Sequence, residues 1–337
     1  MPKKLWNVIK YLLSLALAAV LVYFACRGID WRKFLEGLRE TRWVWMALFF
    51  VASYLSIVFR AQRWKQLLKP LDSGIKYGKV WDAGNVGNLC SIAIPGSGEF
   101  VRCGMVTTKS ATYEKVFGTM VMERAWDVFA VVLMFVLSLL FSWGHFGGFF
   151  VDNVWHPLAS RATLWWVLLI LLAVAGVGLW WIFHFKDRHK LAGRLAKTIS
   201  GLGQGFASFG KVRNKFPFLL LTLGIWCMYL LMSYFVLKAI PELSSLELMD
   251  ALFICALGNI ASVVPVPGGI GAYHYLLKIT LSGLYGVSEE VGLLFATLSH
   301  ESRAVMVLVL GAWSYIMRVL VMKNRTAAEN RAAKQKK

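Results

Sequence analysis

Six apolar runs, near residues 5–26, 43–59, 116–141, 163–184, 216–237 and 289–320, constrain this chain more than any other feature. Each has about the length that a helix needs to cross hydrocarbon, roughly 20 residues. In lipid every backbone polar group must find its partner within the protein, so only helices and closed barrels span. Runs of this length read as helices. Composition agrees: 58% of residues are hydrophobic, only 16% are charged, and the mean hydropathy is +0.59. Soluble domains carry about a quarter charged residues. The expected fold is therefore an all-α, multi-pass membrane protein.

Two further apolar stretches are broken. One, 80–108, is interrupted by Pro95-Gly96-Ser97-Gly98; the other, 247–285, by Pro265-Val266-Pro267-Gly268-Gly269. Proline removes a backbone donor and glycine frees the chain, so a continuous helix is not expected through either. The two resemble each other. Gly87-Asn88 and Gly258-Asn259 stand upstream, and a charged helix follows each: Glu123, Arg124 and Asp127 after the first, His300, Glu301 and Arg303 after the second. The expectation is about six full spans plus two re-entrant Pro/Gly-broken hairpins in an inverted internal repeat. Its halves lie near 60–141 and 238–320, within one transmembrane domain over 1–322. A basic tail follows at 323–337. Paired interruptions of this kind point to a transporter site near the bilayer midplane. Ordinary Pro-kinked spanning helices are the alternative.

Charge sets the orientation. The formal net charge is +19. Lys and Arg cluster between apolar runs, which reads as positive-inside flanking of a membrane protein rather than as a nucleic-acid face. On this rule both termini are cytoplasmic, in the inner membrane of a bacterium. Arg60 and Arg63 are then part of an inner loop, and the basic segment 186–215 lies on the cytoplasmic surface against anionic lipids or a partner. Segment 31–42 sets Trp31, Phe34, Leu35 and Leu38 on one helical face, as an interfacial helix does. None of the five cysteines forms a C-x-x-C pair, and nothing in their spacing suggests a disulfide framework or a metal site.

The chemistry gathers at the hairpins. A half-helix starting near Gly98 places Glu99 in its first turn and Arg102 one turn later. Free N–H groups and a guanidinium there suit a lipid phosphate. A plain i,i+3 ion pair of Glu99 with Arg102 is the simpler reading. Glu123 and Asp127 share a helical face, with Arg124 beside them. Ionisable groups within spans usually face a partner or a wet cavity, although Glu123 and Arg124 near the headgroups is the bland alternative. His300 and Arg303 also share a face. His274 reads equally as a proton-responsive group or a hydrogen-bonded helix contact. The candidate lipid-binding residues are Pro95, Gly96, Gly98, Glu99, Arg102, Glu123, Arg124, Asp127, Pro267, Gly268, Gly269, Gly271, His274, His300 and Arg303. No catalytic residue, metal ligand set or cofactor is expected.

The Gly-Asn…Pro-Gly-x-Gly-Glu-x-x-Arg pattern, with its second copy Pro-Gly-Gly-Ile-Gly, resembles the flippase-like transmembrane domain of lysyl-phosphatidylglycerol synthases over about residues 5–322. The resemblance implies a helical fold with re-entrant hairpins that moves a lipid across the bilayer. Two departures matter. No aminoacyl-transferase domain follows, so lysine transfer to lipid is not expected. His274 also stands where an acidic residue is expected after the second Gly-x-Gly.

Three function classes remain open on this basis. One is a translocase for a phospholipid or lipid-linked headgroup. The second is a scaffold that supplies lipid to a partner glycosyltransferase, with self-association also open. The third is a lipid-modifying enzyme, which the scattered acids and histidines disfavour. No phosphate loop for ATP is present.

Overall fold

The structure, a computed structural model of the chain, describes residues 3–141, 143–151, 190–212, 214–261 and 269–335, with Val266 and isolated positions in 173–185. The described residues are helical, with no strand. In chain order they form α1 (Lys3–Cys26), α2 (Trp31–Glu40), α3 (Trp43–Leu68), α4 (Tyr77–Ala93), α5 (Ser97–Val106), α6 (Tyr113–Phe141) and α7 (Trp143–Phe150). Then follow α8 (Lys190–Phe206), α9 (Phe216–Ala239), α10 (Leu248–Ala261), α11 (Ala272–Tyr285) and α12 (Glu289–Gln335).

Four helices are long and apolar enough to cross a membrane: α3, α6, α9 and the Glu289–Arg318 part of α12. Their outward faces carry Leu48 and Val51, Val128 and Val132, Leu220 and Leu223, and Leu308 and Val309, all exposed. Their inward faces bury Arg63, Glu123 and Asp127. Apolar outside and charged inside is the reverse of a water-soluble fold, and it suits a lipid surround. The expected first span is helical as α1. Most of the expected span 163–184 lies outside the described residues.

The centre is the pair α3 and α9, which run antiparallel. The Arg42 N–H donates to the Ala239 carbonyl at 2.8 Å, Trp45 meets Phe235, Gly224 lies against Phe59, and Phe218 faces Arg63. The chain that leaves α3 therefore departs at one end of the pair, and the chain that leaves α9 departs at the other.

Each departure leads into a helical hairpin. In the first, α4 and α5 fold against each other so closely that a Cβ on Gly98 would fall 1.9 Å from the Gly87 carbonyl oxygen. The reversal at Pro95-Gly96 has Gly96 in the left-handed region at φ +73°, which glycine adopts without strain. At the open end Lys79 Nζ donates to the Thr107 carbonyl at 3.1 Å and Thr108 donates to Asp72 at 2.7 Å. The second hairpin, α10 and α11, is closed at its base by Tyr285, which donates to Asp250 at 3.0 Å. With 10 residues in α5 and 14 each in α10 and α11, these helices are about 15–21 Å long at 1.5 Å per residue. That is short of the roughly 30 Å of hydrocarbon.

Long helices complete the frame crosswise. α6 follows the first hairpin and packs on the second, where Phe135 stacks on Phe253. α12 follows the second hairpin and packs on the first, where Asn85 donates to Ser314 at 3.3 Å.

The segment expected to be an interfacial helix is helical as α2. Asp30 caps it by accepting from the N–H groups of Arg32 and Lys33, and Phe34 is buried while Trp31 and Leu35 are exposed. One expectation is corrected. Arg60 and Arg63 are not in a cytoplasmic loop: α3 continues past residue 59 to Leu68, and Arg63 has no exposed surface. Their charges do not end the helix because acidic partners from α6 meet them inside.

Candidate functional site

The first hairpin aims the start of α5 at α6. Glu99 lies in the first turn of α5, and Arg102 follows one turn later. Arg102 Nε donates to Glu99 Oε2 at 2.7 Å, so the i,i+3 pair exists. It is only one edge of a larger network. Arg102 Nη1 also donates to Glu123 Oε2 at 3.0 Å, and its guanidinium lies 4.6 Å from the Trp64 ring centre. Glu99 takes a second ion pair from Arg124.

From α3, Arg60 Nε donates to Glu123 Oε1 at 3.0 Å and a second nitrogen pairs with Asp127. Arg63 Nη2 lies 2.7 Å from Asp127 Oδ1 and 3.3 Å from Glu123 Oε1. Arg124 Nη1 reaches Asp127 at 3.3 Å. Helical spacing explains the convergence. Arg60 and Arg63 are one turn apart on α3, as Glu123 and Asp127 are on α6, so two short rows of opposite charge face each other.

Four arginines thus meet three carboxylates: Arg60, Arg63, Arg102 and Arg124 against Glu99, Glu123 and Asp127. With all groups ionised, one positive charge is left over. Burial is graded across the cluster. Glu123 and Arg63 are 0% exposed, whereas the Arg124 side chain is 44% exposed. The placement of Glu123 near the headgroups as a merely solvated charge is thereby excluded. Arg63 Nε and Nη1 are buried without a hydrogen-bond partner among the described residues. The cluster is buried at its floor and reachable at Arg124.

Tyr229 on α9 joins the two halves. Its hydroxyl accepts from Arg60 Nη1 at 3.3 Å and from Arg303 Nη2 at 3.1 Å, and the Arg303 guanidinium lies 4.6 Å from its ring. Arg303 on α12 brings a further positive charge to Tyr229. One turn earlier, His300 Nδ1 lies 2.9 Å from Glu301 Oε1, and His274 Nε2 from α11 approaches the same oxygen at 3.5 Å. Gly271 stands just before α11 at φ +88°, packed on Leu21 and Val22 of α1. Gly269 lies against His300.

The candidate residues therefore fall into two connected groups. Glu99, Arg102, Glu123, Arg124 and Asp127 form the first. His274 and His300 form the second, with Gly269 and Gly271 beside them, and Arg303 lies between the groups. Pro95, Gly96 and Gly98 shape the first reversal. Pro267 and Gly268 lie outside the described residues. The sequence reading missed Arg60, Arg63 and Tyr229. The signal for the arginines was their three-residue spacing at the end of an apolar helix, matched to the four-residue spacing of Glu123 and Asp127. A tyrosine inside a uniformly apolar span gives no such signal.

A family model described as the lysylphosphatidylglycerol synthase transmembrane region matches residues 11–311. A curated membrane protein of the UPF0104 group from Pyrococcus horikoshii is 28% identical over 141 residues, which cover 40% of this chain and 41% of that protein. No solved structure matches. The family match covers most of the chain and includes both hairpins and every ion pair of the two groups, so this membrane protein belongs to the lysylphosphatidylglycerol synthase transmembrane-region family.

Proposed function

We propose that the protein translocates a lipid with an anionic headgroup across the cytoplasmic membrane, and that the arginine–carboxylate network at the first hairpin receives the headgroup. The observation that carries this reading is the surplus of positive charge in a partly open cluster between helices long and apolar enough to span a membrane. A phosphate placed at Arg124 takes a bidentate guanidinium contact and neutralises the excess. Buried ionisable residues are costly in a membrane and mark pathways for charged cargo.

In this reading the hairpins are re-entrant and form an inverted repeat, with both termini cytoplasmic. The antiparallel α3–α9 pair, the closed hairpin bases and the short hairpin helices support it. Charged headgroups then meet Arg124 from one side and Arg303 from the other, with Tyr229 between. An opening that alternates between the two repeats is the usual transporter solution.

The test is leaflet exchange in liposomes that contain the purified protein and a fluorescent anionic phospholipid, read by dithionite quenching. Arg124→Gln and Glu99→Gln are the variants of choice, because both side chains are partly exposed and their loss should leave the fold standing. The expected result is exchange with the native chain and a loss of at least about tenfold, roughly 1.4 kcal/mol of barrier, in Arg124→Gln. If the native chain exchanges no anionic, cationic or polyprenyl-linked lipid, translocation is rejected in favour of a scaffold that presents lipid to a glycosyltransferase.

A further inference from the structure

The second hairpin carries chemistry that headgroup binding does not use. We propose that His274, His300 and Glu301 form a binding site for a divalent transition-metal ion of the zinc type. This inference stands on its own geometry and does not depend on lipid translocation.

The three side chains come from two consecutive helices, α11 and α12, and are brought together where α12 packs back along α11. Glu301 Oε1 lies 2.9 Å from His300 Nδ1 and 3.5 Å from His274 Nε2, and one ligand atom from each residue lies within 4.8 Å of the others. A tetrahedral zinc ion with donors at about 2.0–2.1 Å holds those donors about 3.3 Å apart. Small side-chain adjustments therefore close the donors on one ion.

Two properties favour coordination over a plain hydrogen-bonded pair. First, His274 is nine-tenths buried, yet among the described residues its Nδ1 has no hydrogen-bond partner and its Nε2 lies 3.5 Å from Glu301 Oε1. A buried polar group without a good partner costs free energy, and a metal ion held between His274 Nε2 and Glu301 supplies one to Nε2. Second, both imidazoles converge on the same carboxylate oxygen, so one cation satisfies all three groups at once.

The donor set selects the ion. Two imidazoles and one carboxylate suit zinc and its first-row neighbours, whereas magnesium and calcium prefer oxygen cages. The Glu301 side chain is 48% exposed. Three protein donors with one open side is the arrangement of zinc sites that bind a further ligand, such as water or a phosphate oxygen.

The experiment is zinc binding by the full-length purified protein in detergent, after chelator treatment and dialysis, by competition with a chromophoric zinc chelator. Cobalt(II) is used in parallel as a spectroscopic probe. The expected result is one tight site per chain and a tetrahedral cobalt absorption band. His274→Ala and Glu301→Gln should each weaken zinc by about 100-fold or more, beyond the 10- to 100-fold effect of an outer-sphere partner. His184→Ala, at an exposed histidine elsewhere, should not. No binding, or binding that survives both ligand substitutions, overturns the proposal and leaves a His–carboxylate hydrogen bond. If a variant fails to fold, the cobalt spectrum of the native chain decides: no tetrahedral band means no such site.

Discussion

Glu123 has no exposed surface and is paired with Arg60, Arg63 and Arg102 at once. Removing it takes a carboxylate from three guanidinium groups at once and leaves Asp127 and Glu99 to hold them, with Arg63 fully buried. Breaking a buried ion pair from one side costs about 3–5 kcal/mol, so Glu123→Ala should fall by that much in unfolding measured in detergent. Arg124 is the contrasting case. It is 44% exposed and its pairs are partly screened, so Arg124→Ala should change stability by less than about 1 kcal/mol. If both substitutions cost the same, the graded burial of the cluster does not govern its energetics. The identity of these two positions was legible in the sequence, since acids and an arginine inside a span require partners. Two partners of Glu123 were not, because Arg60 and Arg63 sit where an apolar run ends and read as an ordinary basic flank.

The first hairpin depends on close backbone approach. A Cβ at Gly98 meets a carbonyl oxygen, which cannot move aside, whereas one at Gly104 on the same helix meets nothing within 4 Å. Gly98→Ala should therefore prevent the hairpin from closing, seen as loss of monodisperse protein. Gly104→Ala should be neutral or stabilising by about 0.5–1 kcal/mol, through helix propensity. The base of the hairpin offers a titration test. Asp72 accepts from the Thr108 hydroxyl and the Gly74 N–H, and these hydrogen bonds hold its carboxyl below the usual range. A carboxyl depressed in the folded state adds stability above its unfolded value of about 3.9, and loses it as pH falls through the folded value. Thr108→Val should thus weaken the chain at neutral pH and shrink the loss seen on acidification below about pH 4, as read by melting temperature against pH.

At the scale of the molecule, α3–α6 and α9–α12 follow one order: a long helix, two short helices folded back, then a long helix. Under the proposed inverted repeat, the antiparallel α3–α9 pair sends them in opposite directions. Two exposed serines report on this, Ser73 at the base of the first hairpin and Ser245 at the base of the second. In a cysteine-free background, Ser73→Cys and Ser245→Cys should react with a membrane-impermeant maleimide from opposite sides of the membrane. Labelling from the same side would refute opposed hairpins. The arrangement also explains why each long helix packs on the other unit's hairpin: crossing over lets α6 and α12 tie two short hairpins into one body.

The sequence by itself determined the membrane class, four of the six expected spans as long apolar helices, the reversal at Pro95-Gly96 and the ionisable character of Glu99, Arg102, Glu123, Arg124 and Asp127. These follow from local rules: span length, the backbone demands of proline and glycine, and the cost of charge in hydrocarbon. Only the tertiary structure decided which charges meet. Helical periodicity states which residues share a face, but not which face of which helix lies opposite. Tertiary packing set Arg60 and Arg63 against α6, Tyr229 between Arg60 and Arg303, and His274 of α11 against Glu301 of α12.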